Sequence, residues 1–163
     1  CVWQDSFLVT KEIPGAQPLG VYVRSKYAAG TLSRGERKII RTKLFRLVEK
    51  LHSLKIFHAD LKAANILASG EGTGLELTLI DADRVFFKTV LSVRHLTRNL
   101  AQLNASFLSE VSTAERLMFF LDYMREKMPK ERRRTILEKI IHETKSRWSE
   151  AGTKTFLTGS EKP

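Results

Sequence analysis

The sequence predicts an α+β protein, a mainly helical lobe with a small β-hairpin at its edge. Three observations lead there. Apolar residues fall at helical spacing from about Arg34 to Leu54 and again beyond Ser112. Two β-prone runs, Asn65 to Ala68 and Leu75 to Ile80, flank the turn-forming stretch Ser69-Gly70-Glu71-Gly72-Thr73-Gly74. A length of 163 residues with 42% hydrophobic content suffices for one domain, or a large part of one, with a real core.

Taken in order, Ser6 to Thr10 is β-branched and apolar and reads as a strand, which Ile13-Pro14-Gly15 breaks. Residues 16–33 mix glycines with two aromatics and carry no assignment. The helix from Arg34 to Leu54 places Ile39, Ile40, Leu44, Leu47, Val48, Leu51 and Leu54 on one face, and Arg37, Lys43, Arg46 and Lys50 on the other. Ile56-Phe57-His58 is short and apolar, and the hairpin follows. A weaker helical stretch covers Val93 to Phe107. Ser112 and Glu115 have capping-box spacing and open a helix expected to bury Leu117, Phe120, Leu121 and Met124. Pro129 suits the first turn of a last helix, which should bury Ile136, Leu137, Ile140, Ile141 and Trp148. Residues 150–163 read as a polar, disordered tail. No internal repeat is visible.

The formal net charge is +10. Such an excess favours an anionic partner: a nucleotide, nucleic acid, phospholipid headgroups or a phosphorylated glycolipid. Charge alone does not choose among them. Lys130 and Arg132 to Arg134 form the one dense basic cluster, read as the solvated start of a helix. The single cysteine, Cys1, excludes an internal disulfide and fits a reducing compartment. No run of about 18 apolar residues occurs, so no membrane-spanning helix is expected. The chain opens on Cys rather than Met, directly before a strand-like run, and the expectation is of a fragment whose natural start lies upstream.

The chemistry-bearing stretch is His58-Ala59-Asp60-Leu61-Lys62-Ala63-Ala64-Asn65, followed by Leu79-Ile80-Asp81-Ala82-Asp83. It keeps the His, Asp, Leu and Asn of the kinase signature H-R-D-L-x-x-x-N at their spacing, with Ala59 in place of the Arg, and it has Asp81-Ala82-Asp83 where D-F-G would stand. A general base needs a carboxylate within hydrogen-bond reach of the acceptor hydroxyl, and Asp60 fits. A Mg2+ ion needs oxygen ligands. Asn65 lies five residues on, where the loop curls back, and hairpin pairing brings Asp81 beside it. Lys62 can aim its ammonium at a transferring phosphoryl group. A lone Asp on a loop is usually a solvated or capping residue, and a lone Asn a turn former. Four specified residues in an eight-residue window, a hairpin, and an Asp closing its second strand rarely coincide. His58 is expected to pack under the loop rather than act as acid or base. Asp83 is either a second metal ligand or a surface carboxylate paired with Arg84, the latter preferred. His52, His95 and His142 lack metal-ligand spacing and read as ordinary surface or core histidines.

The run from His58 to Leu67 resembles the catalytic loop of the lipopolysaccharide core kinases, the Kdo and heptose kinases of the protein-kinase-like superfamily. Leu79-Ile80-Asp81-Ala82-Asp83-Arg84-Val85 is similar to their metal-binding segment, and Arg98-Asn99-Leu100-Ala101-Gln102-Leu103-Asn104 to a further family segment. Phe7 to Gly15 resembles the last N-lobe strand and hinge, and the likeness extends from about residue 6 to about residue 125. The resemblance implies that 1–15 is the end of an N-lobe with its hinge and 16–149 a kinase-like C-lobe. It implies ATP and Mg2+ as cofactors, and transfer of the γ-phosphate to a sugar hydroxyl of the lipid A–core glycolipid. The setting would be the cytoplasmic face of the inner membrane, with peripheral contact to its anionic surface and no nucleic acid partner. Asp60 would be the catalytic base, Lys62 the phosphate-contacting lysine, and Asn65 and Asp81 the metal ligands. Lys11, Glu12 and Ile13 would meet the adenine through backbone groups, with Thr10 at the back of its pocket.

Two departures qualify the likeness. Ala59 and the lack of an Ala-Pro-Glu segment argue against a phosphorylation-switched protein kinase. No Gly-rich loop, strand lysine or partner glutamate precedes the hinge, so a truncated lobe with little activity by itself is expected. The alternatives are another phosphotransferase of the same fold (aminoglycoside- or choline-type, or an atypical protein kinase) and a non-catalytic pseudokinase that binds a membrane or RNA through its basic surface.

Overall fold

The computed structural model describes residues 12–107 and 111–158, with side chains described through Glu150. The strand expected at Ser6 to Thr10 lies outside them. β1 (Gln17–Pro18) leads into α1 (Leu19–Ala28), and α2 (Arg34–Ser53) follows. Then come β2 (Ile56–His58), β3 (Ile66–Ser69), β4 (Glu76–Leu79) and β5 (Val85–Phe87). The chain finishes with α3 (Val93–Ser106), α4 (Thr113–Lys127) and α5 (Lys130–Thr158). The α+β, mainly helical reading holds.

The expected hairpin forms with Ile66 opposite Leu79 and Ser69 opposite Glu76, and β1 adds antiparallel to its other edge. β2 and β5 make a separate two-stranded ribbon, with His58 opposite Val85. The ribbon draws the segment after Asp81 back beside the segment before Asp60. Gly70 shapes the hairpin tip at φ +75°, where a Cβ would stand 2.6 Å from the Gly74 carbonyl oxygen.

α2 begins at a capping box of Ser33 and Glu36, and α4 at the one foreseen between Ser112 and Glu115. α3 uses the same device with His95 in the glutamate's place, where its ring nitrogen accepts from the Ser92 amide. The core forms where Leu44, Phe45, Val48 and Leu51 of α2 meet Leu100 and Leu103 of α3 and Phe119, Phe120 and Met124 of α4. α1 closes it with Leu19, Tyr22 and Val23. Their i, i+3, i+4 spacing is helical, but flanking glycines hid it in the sequence.

Two readings of the helices need correction. α4 buries Phe119, Phe120, Tyr123 and Met124, whereas Leu117 and Leu121 are exposed. The run Leu117-Met118-Phe119-Phe120-Leu121 is apolar around the helix, so periodicity leaves its phase open. Tyr123 selects the phase by packing edge-on against Phe45 and His52. In α5, Ile136 and Ile140 are buried but Ile141 and Trp148 are exposed. Trp148 still docks, donating from Nε1 to the Ala105 carbonyl at 3.2 Å. Nor does the chain leave the helix at residue 150. The backbone stays helical to Thr158, because extending a formed helix fixes one residue per added hydrogen bond.

Candidate active site

Backbone pairing and buried side chains fix the loop between β2 and β3. At its start, the Ala59 amide donates to the Arg84 carbonyl at 2.8 Å, extending the β2–β5 ribbon by one bond. Leu61 is 1% exposed and anchors the middle of the loop. At its end a 3₁₀ turn, Ala63–Asn65, delivers Asn65 to the base of the hairpin, where the Ile80 amide donates to the Asn65 carbonyl at 2.9 Å.

His58 is fully buried, as its expected packing role requires. Its Nδ1 accepts from the Asp60 amide at 3.1 Å, which leaves Nε2–H to donate to the Ile80 carbonyl at 3.4 Å. One imidazole therefore ties the loop holding Asp60 to the strand end holding Asp81.

The structure brings Asp60, Lys62, Asn65 and Asp81 together. Lys62 Nζ lies 2.6 Å from Asp60 Oδ2. The Asn65 amide nitrogen donates to the Asp60 carbonyl at 2.9 Å, to Asp60 Oδ2 at 3.2 Å and to Asp81 Oδ2 at 3.1 Å. With its N–H groups spent there, Asn65 keeps Oδ1 for another partner. Burial pushes the Asp60 carboxyl up, but the Lys62 hydrogen bond and charge, with Asn65 and Arg84, hold it below the usual carboxylate range. Asp60 is thus an ionised acceptor at neutral pH.

Asp81 sits at φ 69°, ψ 58°, left-handed backbone that a non-glycine residue adopts only at a cost. The twist turns its carboxylate toward Asn65. A hydrogen bond with Asp83 is the main cause raising the Asp81 carboxyl, and the same bond lowers that of Asp83. Asp81 is thus the main influence on Asp83, with Arg84 a lesser one, and among the described residues Asp83 and Arg84 make no ion pair of the kind that sequence adjacency favoured. Two neighbouring carboxylates beside a free amide oxygen are a donor set for a hard, oxygen-seeking cation. Among the described residues no three His, Cys, Asp or Glu side chains form a complete cage. A hard divalent cation such as Mg2+ takes one or two carboxylates and fills its remaining positions with water and phosphate oxygens. Of the remaining predicted site residues, Thr10 and Lys11 lie outside the described residues, Glu12 is exposed and Ile13 is partly buried.

The sequence reading did not assign a job to the residues that hold this loop from behind. Asn99 Nδ2 donates to the His58 carbonyl, Gln102 Nε2 donates to the Ala59 carbonyl, and Ser106 Oγ accepts from the Ala63 amide at 2.8 Å. Behind Asn99 stand His52 and Tyr123. His52 Nε2 meets Asn99 Oδ1 at 3.3 Å, and the Tyr123 hydroxyl meets His52 Nδ1 at 2.7 Å. One consistent direction satisfies every group: Tyr123 O–H to Nδ1, Nε2–H to Asn99, and the Asn99 amide to the loop carbonyl. It requires a neutral His52, and burial lowers that imidazole to about 4. The available signal was the amide pair Asn99 and Gln102, at i, i+3 in a helix that otherwise reads as apolar on that face.

Residues 2–123 match the family model described as the lipopolysaccharide kinase (Kdo/WaaP) family. The chain belongs to that family. It is 35% identical over 105 residues to the 3-deoxy-D-manno-octulosonic acid kinase of Pasteurella multocida (strain Pm70), an overlap covering 64% of this chain and 40% of that protein. The chain thus spans well under half the length of this curated relative. A solved structure of WaaP in complex with acyl carrier protein superposes with a TM-score of 0.69 at 19% identity, over 83% of this chain and 58% of that one. At that identity the likeness speaks for the fold, a kinase-like lobe. The matched residues span both the loop bearing Asp60 and the α3 stretch that braces it.

Proposed function

We propose that this lobe serves an ATP-dependent kinase that phosphorylates a sugar hydroxyl of the lipopolysaccharide inner core, Kdo or heptose. One observation carries the reading: Asp60, Lys62, Asn65 and Asp81 interlock through hydrogen bonds of 2.6–3.2 Å. Family membership supplies the substrate class.

Asp60 accepts the proton of the acceptor hydroxyl, whose oxygen then forms a bond to the γ-phosphorus as the bond to the β-phosphate bridging oxygen breaks and ADP leaves. Lys62, now paired with Asp60, neutralises charge on the transferring group. Asn65 Oδ1 and the carboxylates of Asp81 and Asp83 would hold Mg2+, which when bound screens the phosphate oxygens. Thr10 and the segment Lys11 to Ile13 would receive the adenine. Phosphoryl transfer asks mainly for positioning and charge stabilisation, so the rigid bracing by His58 and Asn99 belongs to the chemistry.

The test is transfer of labelled γ-phosphate in the full-length protein, offering purified lipid A–core beside aminoglycosides, choline and a protein mixture. Labelling of the glycolipid alone is expected, lost in Asp60→Ala while nucleotide binding persists. Asp60→Ala with near-native turnover would remove the base assigned here.

A further inference from the structure

We infer that the free end of the β2–β5 ribbon is a membrane-docking surface that seats on an anionic lipid bilayer. The inference deepens the proposed function, which supplies a membrane-bound substrate.

The ribbon ends in exposed apolar side chains. Phe87 is 80% exposed, Val90 73% and Leu54 57%. They share one tip, because Phe87 pairs with Ile56 across the ribbon and the Lys88 amide donates to the Lys55 carbonyl at 2.9 Å. Isolated exposed apolar residues are ordinary, but adjacent ones on a ribbon end mark a contact surface.

The charges around the tip say what kind of surface fits. From Arg84 to Ser109 the sequence holds four Arg or Lys and no Asp or Glu. Among the described residues Lys55, Lys88 and Arg94 make no ion pair. Several basic residues elsewhere are answered within the fold, among them Arg37 by Glu115, Arg41 by Asp122, Arg46 by Glu126 and Lys127 by Glu49. The ribbon end combines exposed apolar tips with unneutralised cations at their base. Lys88 Nζ stands 5.3 Å from the Phe86 ring centroid, so the cation and the exposed aromatic ring sit together at the tip. That is the composition that anionic headgroups over acyl chains complement.

The placement also fits the chemistry. From Arg84, which pairs with the active-site loop, to Phe87 the strand climbs roughly 10 Å. Seating the tip in the headgroup layer would hold the Asp60 and Asp81 carboxylates just above it, level with sugars attached to a membrane-anchored lipid.

The experiment is sedimentation of the full-chain protein with vesicles of phosphatidylglycerol and phosphatidylethanolamine, with neutral phosphatidylcholine vesicles in parallel. Both are free of glycolipid and nucleotide, at physiological salt. Binding is expected on the anionic vesicles, weakened at least tenfold by Phe87→Ser with Val90→Ser and by Lys55→Gln with Lys88→Gln. Lys130→Gln with Arg132→Gln removes equal charge from α5 and should leave binding within twofold. Phe87→Trp should gain fluorescence quenching by brominated acyl chains beyond the native protein. Equal binding by the serine pair, an equal loss in the α5 control, or no added quenching each overturns the proposal. So does a dimer in vesicle-free solution that the serine pair dissolves, since the tip would then cover a second copy. Because no substrate is present, a failed kinase reading leaves this result standing, and the reverse.

Discussion

Acid should loosen this fold through His52. The imidazole is buried between α2, α3 and α4, and burial lowers it from its ordinary 6.5 to about 4. In the unfolded chain it takes a proton as the pH drops through 6.5, while in the folded chain it stays neutral until about 4. Below 6.5 the unfolded state therefore binds more protons, and stability falls as the pH falls. The contribution is fully present above 6.5 and lost across the window down to about 4. The full gap is worth about 3 kcal/mol, with about 1.4 kcal/mol gone by about pH 5.5 and about 2.5 by about pH 4.5. Against a typical domain stability of about 5–15 kcal/mol that loss is easily read. Urea unfolding of the native protein and of His52→Gln, measured from neutral pH to about pH 4.5, isolates it. Glutamine can still accept from Tyr123 and donate to Asn99 but does not titrate. The variant is expected to start less stable and to lose about 2.5 kcal/mol less on acidification. Parallel pH profiles for the two proteins would refute the claim that a neutral His52 is what the core requires.

Other consequences can be checked separately. Asn99→Leu strands the His58 carbonyl and should cost about 1–3 kcal/mol in urea unfolding, and lower phosphate transfer in the full-length protein without changing its vesicle binding. Gly70→Ala puts a Cβ 2.6 Å from a carbonyl oxygen at φ +75° and should lower the melting temperature by several degrees, a loss of about 1–3 kcal/mol. Lys62→Met removes the hydrogen bond and charge that hold Asp60 low, so its carboxyl should move up in a carbon-detected NMR titration; a downward move would contradict the pairing. Asp81→Ala should weaken Mg2+-dependent nucleotide binding in the full-length protein, read by calorimetry, where Asp60→Ala largely spares it.

The candidate site was legible in the sequence because its parts are local. Asp60, Lys62 and Asn65 share one loop, and the Gly-rich turn between two β-prone runs dictates a hairpin that returns Asp81 to Asn65. Spacing and turn chemistry suffice for that. The amphipathic α2 and the capping box at Ser112 were equally readable, since each signal lies within one turn of the helix it opens or lines. What only the tertiary structure decided depends on which surfaces meet. The apolar run Leu117 to Leu121 has two possible faces, and Tyr123 finding His52 chose between them. The amides of Asn99 and Gln102 look like surface groups until the loop carbonyls of His58 and Ala59 arrive in front of them. Asp83 looked like a partner for its neighbour Arg84 until the left-handed turn at Asp81 brought two carboxylates face to face. Periodicity says where a residue lies on its own element. Hydrogen bonds between elements far apart in the chain require the packed arrangement itself.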